Sequence, residues 1–159
     1  MLSEDTYGSF QELSDHEVEG IDFDIKIIES DRPASIAILA PHGGWIEPHT
    51  SEIASAIAGN SAKLYLFQGL KKNQKNRLHL TSNHFDEPRC LKLITPCQQV
   101  VTIHGCKNIH GPICLGGLDA ALKCKLAQGV QFELSRDFRE SHKIEKFVKV
   151  VRDELYLMI

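Results

Sequence analysis

The stretch that decides the fold runs from residue 35 to residue 67. It reads SIAILA at 35–40, PHGG at 41–44, TSEIASAIA at 50–58 and KLYLF at 63–67. SIAILA is a short apolar run without alternation, the pattern of a strand buried on both faces. Pro41-His42-Gly43-Gly44 ends it abruptly. Ile53, Ile57 and the alanines around them then recur at helical spacing. Thr50 or Ser51 supplies an N-cap, and Gly59-Asn60 a stop. KLYLF is the next strand. Strand, helix and strand in that order form the repeating unit of an α/β fold.

The flanks continue the pattern. Residues 1–20 are a polar, acidic lead-in with one helical turn near Ser9–Leu13. IDFDIKII at 21–28 alternates apolar and polar, as a strand does. A long polar loop at 69–84 and a short helix at 86–94 precede QQVVTI at 98–103, a strand that ends on His104-Gly105. A glycine-bearing link leads to a helix over Leu118–Leu126, and VQFEL at 130–134 is a further strand. Ile144, Phe147, Val148, Val151 and Leu155 mark one apolar stripe on a closing helix. The expectation is an α/β fold, a three-layer mixed sheet between helices, in one domain over 1–159.

Composition sets the outer bounds. The 159 residues are 42% apolar and 25% charged, which excludes collagen, coiled coil and disorder. No run reaches the ~18 apolar residues that span a bilayer. Met1-Leu2-Ser3-Glu4-Asp5 has no basic-then-apolar leader pattern. The expected location is the cytoplasm, or the medium after cell lysis, with no membrane partner. Eighteen basic residues against 21 acidic give −3, which argues against a generic nucleic-acid binder. The five cysteines (Cys90, Cys97, Cys106, Cys114, Cys124) are odd in number and contain no CxxC. Reduced thiols follow, not a disulfide framework or a cysteine-zinc ribbon.

The chemistry collects at two strand ends. His42 follows SIAILA and His104 follows QQVVTI. If those strands are parallel neighbours, both histidines sit on the edge where open α/β sheets bind ligands. Gly43-Gly44 lets the chain turn, and Glu47 lies just before the helix. Two histidines and one glutamate are the ligand set of many catalytic zinc sites, whose fourth position stays open for water and lowers its pKa to about 7. Glu133, in VQFELS, alternates away from Val130, Phe132 and Leu134, and a carboxylate within a core strand needs a partner or a purpose. Beside such a site it would serve as general base. Each residue alone has a plainer explanation. A histidine after a strand is commonly a loop residue, Glu47 suits a helix start, and Glu133 suits a salt-bridged edge strand.

Read together with their neighbours, these residues resemble the poly-γ-glutamate hydrolase family, associated with bacteriophages and prophages. The likeness is carried by APHGGWIEPHTSEIASAIAG at 40–59, LYLFQG at 64–69, LHLTSNHFDEP at 78–88, VVTIHG at 100–105, GGLD at 116–119 and GVQFELSRDFR at 129–139. Six blocks in the family's order are far more specific than any one motif. The resemblance implies a zinc-carboxypeptidase-like fold. It implies one zinc ion held by His42, Glu47 and His104, with Glu133 as general base. The implied substrate is the acidic polymer poly-γ-glutamate, cut at its γ-glutamyl amides. Two departures stand out. Position 49 is His where the family usually has Gly, and the junction from Lys123 to Gly129 is shorter than the family pattern.

Further candidates lie around this set. His79, Thr81, Ser82 and His84 would line the cleft and bind substrate, or else hold their own loop together. Arg136 and Arg139 suit carboxylates as bidentate forks, or remain on the surface paired with Glu140. Lys71, Lys72, Lys75 and Arg77 form a basic run, read as a solvated loop that a polyanion could track. Cys106 reads as a small residue beside the site, not a nucleophile. A zinc deacylase of a small acyl-amino acid and a non-catalytic polyanion binder are the competing functions.

Overall fold

In chain order the computed structural model contains helix α1 (Phe10–His16), strands β1 (Phe23–Ile28) and β2 (Ile36–Gly44), helix α2 (Thr50–Ala58), strand β3 (Lys63–Gly69) and helix α3 (Pro88–Ile94). Strands β4 (Gln99–Cys106), β5 (Ile113–Gly116) and β6 (Val130–Ser135) follow, then helices α4 (Arg136–Arg139) and α5 (Lys143–Tyr156). Residues 5–30, 35–74, 77–82, 84–107, 111–116 and 129–156 are described.

The sheet has the order β1-β3-β2-β4-β6-β5. β3, β2, β4 and β6 are parallel, and β1 and β5 flank them as antiparallel edges. The central strand β2 is buried along almost its whole length. That is why SIAILA shows no alternation: both of its faces are covered. Ile36, Ile38 and Ala40 face α2 and α5, where Ile53, Ile57, Val151 and Leu155 complete one core. Ala37 and Leu39 face the other way, toward Leu13 of α1, Leu93 and Ile94 of α3, and the loop residues Leu78, Leu80 and Phe85. Each fully buried Ile, Leu or Phe contributes about 1.5–3 kcal/mol. The result is a mixed sheet sandwiched between two helical layers.

Several boundaries differ from the sequence reading. β2 does not stop at Ala40 but runs on to Gly44 through a bulge between Ala40 and Gly43. Pro41 is tolerated there because an irregular strand needs no donor at that point. The expected single turn near Ser9 is a helix of seven residues, with the Ser9 hydroxyl accepting from Glu12 N. The link at 113–116 is a strand. Its four residues carry no alternation and hold strand form only by pairing with β6. Arg136–Arg139 is a short helix capped by Ser135, whose hydroxyl accepts from Phe138 N. The closing helix keeps its expected stripe, with Val151 and Leu155 buried and Ile144, Phe147 and Val148 packed on the same core. The helix expected over Leu118–Leu126 and most of the Lys123–Gly129 junction lie outside the described residues. No helix among the described residues is long and apolar enough to cross a membrane.

Candidate metal centre

The site exists because two neighbouring strands part company. β2 and β4 pair from Ile36↔Gln99 to Leu39↔Thr102 and no further. Beyond that point β2 follows β3 to Gly44↔Gly69, while β4 follows β6 to Cys106↔Ser135. A crevice opens between them at the carboxyl ends of parallel strands. From β2 the chain continues to β3 on one side, and β4 lies on the other. This is a topological switch point, where open α/β sheets hold ligands.

His42 and His104 stand on the two separated strand ends and are only 2% and 3% exposed. Glu47 reaches in from the turn between β2 and α2. That turn is held by Glu47 N donating to His42 O (2.8 Å), Trp45 N to Gly69 O (2.9 Å) and the Thr50 hydroxyl to Glu47 O (2.8 Å). Gly44 makes the turn possible. Its φ is +62°, and a Cβ there would lie 2.4 Å from Gly69 O. Gly44→Ala is therefore expected to destabilise the fold by about 2–4 kcal/mol through strain and overpacking. A denaturant midpoint measurement on the variant checks this.

The donor atoms converge. His42 Nδ1 lies 3.1 Å from His104 Nδ1 and 3.4 Å from Glu47 Oε2, and His104 Nδ1 lies 4.0 Å from the same oxygen. Ligand atoms ~2.0–2.1 Å from a tetrahedral ion are ~3.3 Å apart, so these separations fit donors sharing one cation. Tautomers agree. His42 Nε2 faces Leu80 O at 2.7 Å and must carry the hydrogen, because a carbonyl only accepts. Nδ1 is left with a lone pair turned toward Glu47 and His104. A ligating histidine commonly has its second nitrogen bound in this way.

His79 also brings a nitrogen close to His42 and Glu47, the three donor atoms lying within 4.8 Å of one another. Ring geometry separates it from His104. His79 is stacked on His42, with centroids 4.2 Å apart and planes 25° from parallel, whereas His104 meets His42 at 65°. An imidazole lone pair lies in the ring plane. A ring stacked on His42 cannot aim its in-plane lone pair where the His42 lone pair points, so His104 would be the better-placed donor.

Electrostatics prepare the cluster for a cation. Burial works against the Glu47 carboxylate, but His42, His104 and the Gly105 N–H (2.8 Å to Oε2) outweigh it and hold its pKa at about 2. Burial and the neighbouring His42 push His104 down to about 3, so it is neutral and free to donate electrons. On His42 burial opposes a proton, but Glu47 prevails and raises the pKa. The set is one fixed anion with two imidazoles, a match for a divalent ion with nitrogen and oxygen preference.

Glu133 lies one strand across, paired in register with His104. It shares the face of Gln131, whose side-chain amide donates to Glu133 Oε1. Burial raises its pKa, the Gln131 bond opposes this, and the Glu47 charge adds to the rise. A carboxylate that readily accepts a proton therefore stands beside the histidines.

A cleft of about 920 Å³ opens outward from Glu47 and Gly105. Lys72, Lys107, Arg136 and Arg139 are among its walls, with Trp45 carrying Lys72 over its ring at 5.3 Å. Arg139 is 8% exposed, not a surface residue. Its Nε donates to Leu134 O at 3.1 Å and its Nη1 to Pro48 O. A Cβ at position 105 would fall 2.7 Å from the Arg139 Cζ, so glycine there makes room for the guanidinium. Arg136 is exposed and paired with Glu140 at 2.9 Å. His49 has φ +74°, a left-handed conformation that glycine adopts freely and that costs another residue roughly 1–2 kcal/mol. The substitution noted at this position therefore strains the turn that carries Glu47.

The 79–84 loop packs on the other side of His42. His79 Nδ1 and His84 Nδ1 both face Asp5, at 3.1 and 3.0 Å, and Ser82 sits half-buried at the turn between them. None of the three lines the cleft just described. Asp5 was not among the residues singled out from the sequence, where it is one acid in an acidic lead-in. The basic run is also less free than its sequence suggests. Lys71 pairs with Asp22 at 2.8 Å, and Arg77 pairs with Glu17. Cys106 is half-buried beside the cleft and its pKa is raised by burial, which makes it a poor nucleophile.

Residues 7–128 match the family described as poly-gamma-glutamate hydrolase. The chain belongs to the poly-γ-glutamate hydrolase family. UPF0714 protein YndL of Bacillus subtilis (strain 168) is 37% identical over 131 residues, 82% of this chain and 50% of that protein. The SPbeta prophage-derived UPF0714 protein YoqZ of the same strain is 36% identical over 126 residues, 79% of this chain and 44% of that protein. The chain thus spans about half the length of the curated relatives it matches. Among solved structures, a bacteriophage poly-gamma-glutamate hydrolase superimposes with a TM-score of 0.83 at 24% identity, covering 98% of this chain and 100% of that one. A zinc-free apo YNDL superimposes at 0.80 with 26% identity, covering 96% and 98%. These matches bear out the three-layer, zinc-carboxypeptidase-like fold. The family match ends at residue 128, short of Glu133, so that residue's placement rests on the register of β4 and β6.

Proposed function

We propose that this member of the poly-γ-glutamate hydrolase family is a zinc-dependent amidohydrolase that cleaves γ-glutamyl amide bonds. The observation that carries the reading is the convergence of His42, Glu47 and His104 at separations of 3.1–4.0 Å, with Glu133 in register beside His104. His42, Glu47 and His104 would hold the ion, which when bound supplies Lewis-acid polarisation and activates water at neutral pH. Glu133 takes the proton from the attacking water and returns it to the leaving amine. Arg139, fixed by two carbonyls behind Gly105, balances negative charge growing on the carbonyl oxygen. Lys72, Lys107 and Arg136 give the cleft a cationic rim for a polymer bearing one carboxylate per unit. His79 stacks on the His42 ring, and with Ser82 and His84 it would support the site from the side away from the cleft.

Elemental analysis of purified protein, combined with the viscosity of a poly-γ-glutamate solution, tests the proposal. About one zinc per chain and falling viscosity are expected. Bound zinc with constant viscosity would favour a non-catalytic polyanion binder. Release of glutamate from an N-acyl glutamate, with the polymer left intact, would favour the small-substrate deacylase.

A further inference from the structure

We infer that Asp5 is a positioning residue for His42, acting through the backbone of the 79–81 loop. This rests on the metal reading above and extends it to a residue outside the ligand set. The Asp5 side chain is 4% exposed, although it comes from the polar start of the chain. It accepts three bonds from one loop: Thr81 N at 2.7 Å, His79 Nδ1 at 3.1 Å and His84 Nδ1 at 3.0 Å. A carboxylate only accepts, so each of these nitrogens carries a hydrogen. Between His79 and Thr81 sits Leu80, whose side chain is fully buried and whose carbonyl takes the His42 Nε2–H at 2.7 Å. Asp5 therefore grips the residue on either side of the carbonyl that sets the His42 tautomer. The same grip orients His79, which stacks on the His42 ring at 4.2 Å.

The physical consequence is direct. With Asp5 removed, Thr81 N–H and two imidazoles lose their acceptor and the loop backbone is free to turn. The Leu80 carbonyl then no longer selects the Nε2–H form of His42. In the other tautomer Nδ1 carries the hydrogen and has no lone pair for a metal. Outer-shell partners of this kind are worth about 10–100-fold in metal affinity.

The test measures zinc affinity of the full chain by chelator competition, together with the visible spectrum of the cobalt-loaded protein. Asp5→Ala should weaken zinc binding by about 10–100-fold and alter the cobalt band shape. Asp5→Asn keeps an acceptor for Thr81 N but leaves an imidazole unmet, so it should recover part of the loss, ending ~3–10-fold weak. It also decides the matter if Asp5→Ala fails to fold. Glu17→Gln loosens the same segment at its contact with Arg77 and should lower stability without changing the cobalt spectrum. The inference is overturned if both Asp5 variants bind zinc within about twofold of the parent, or if Glu17→Gln weakens binding as much as they do. A parent chain that binds no zinc overturns the metal reading itself, and this inference with it.

Discussion

Glu133→Gln is expected to leave zinc bound and to cut turnover of poly-γ-glutamate by about 10²–10⁴-fold, the usual contribution of a general base. Glutamine keeps the shape and the acceptor oxygen that meets Gln131, so packing on β6 should survive. It cannot take a proton. Glu133 lies outside the proposed ligand set, so the zinc content of the variant should equal that of the parent by elemental analysis. Single-turnover cleavage of a short γ-linked oligomer then isolates the chemical step from polymer binding. Undiminished cleavage would remove Glu133 from the mechanism, while loss of zinc would show that it acts as a ligand. Burial, reinforced by Glu47, raises the Glu133 pKa, which suits it to the proposed role of proton acceptor. Glu47, held at about 2 by the histidines, cannot share that role.

The second large effect is expected at His104. His104→Ala removes one of the three proposed donors, and zinc affinity should fall by at least about 10³-fold, since outer-shell changes alone cost 10–100-fold. Thermal unfolding reads this without any substrate. Zinc at a hundredfold excess over its Kd should stabilise the parent by about 2.7 kcal/mol. For a chain of this size that raises Tm by about 5–10 °C. The variant should show no such rise, and chelation should return the parent to the metal-free Tm. His79→Ala supplies the contrast, because the stacked ring is poorly aimed at the ion and its loss should leave most of the zinc-induced shift in place. A full shift in His104→Ala with none in His79→Ala would exchange the two assignments.

Much of this arrangement was legible in the sequence because burial writes itself into composition. The IAILA and VV-I portions of SIAILA and QQVVTI are apolar, as strands covered on both faces tend to be, and the α5 stripe keeps helical period. Their adjacency was a condition that the sequence could raise but not settle, since any two apolar strands satisfy the same pattern. The 113–116 strand left no mark because an exposed edge of four residues takes its form from its partner. Arg139 read as a carboxylate fork or as a surface cation paired with Glu140, and the sequence did not decide between them. Only the fold brings it over Gly105, where a missing side chain leaves the space. Asp5 was invisible for a different reason. Its partners lie 74–79 positions away along the chain, and no local spacing encodes a contact of that range. The partners of the basic run at 71–77 were hidden in the same way, because Glu17 and Asp22, which pair with Arg77 and Lys71, belong to the N-terminal segment.

The parting of β2 from β4 after Leu39 also leaves main-chain groups facing each other across a gap too wide to be bridged strand to strand. A side chain takes over the stitching. From the β4 side, Gly105 N–H reaches the Glu47 carboxylate. Glu47 is thus both a proposed donor for the ion and a seam between the two halves of the sheet. A variant lacking the Glu47 carboxylate would leave Gly105 N–H without its acceptor, whatever became of the metal.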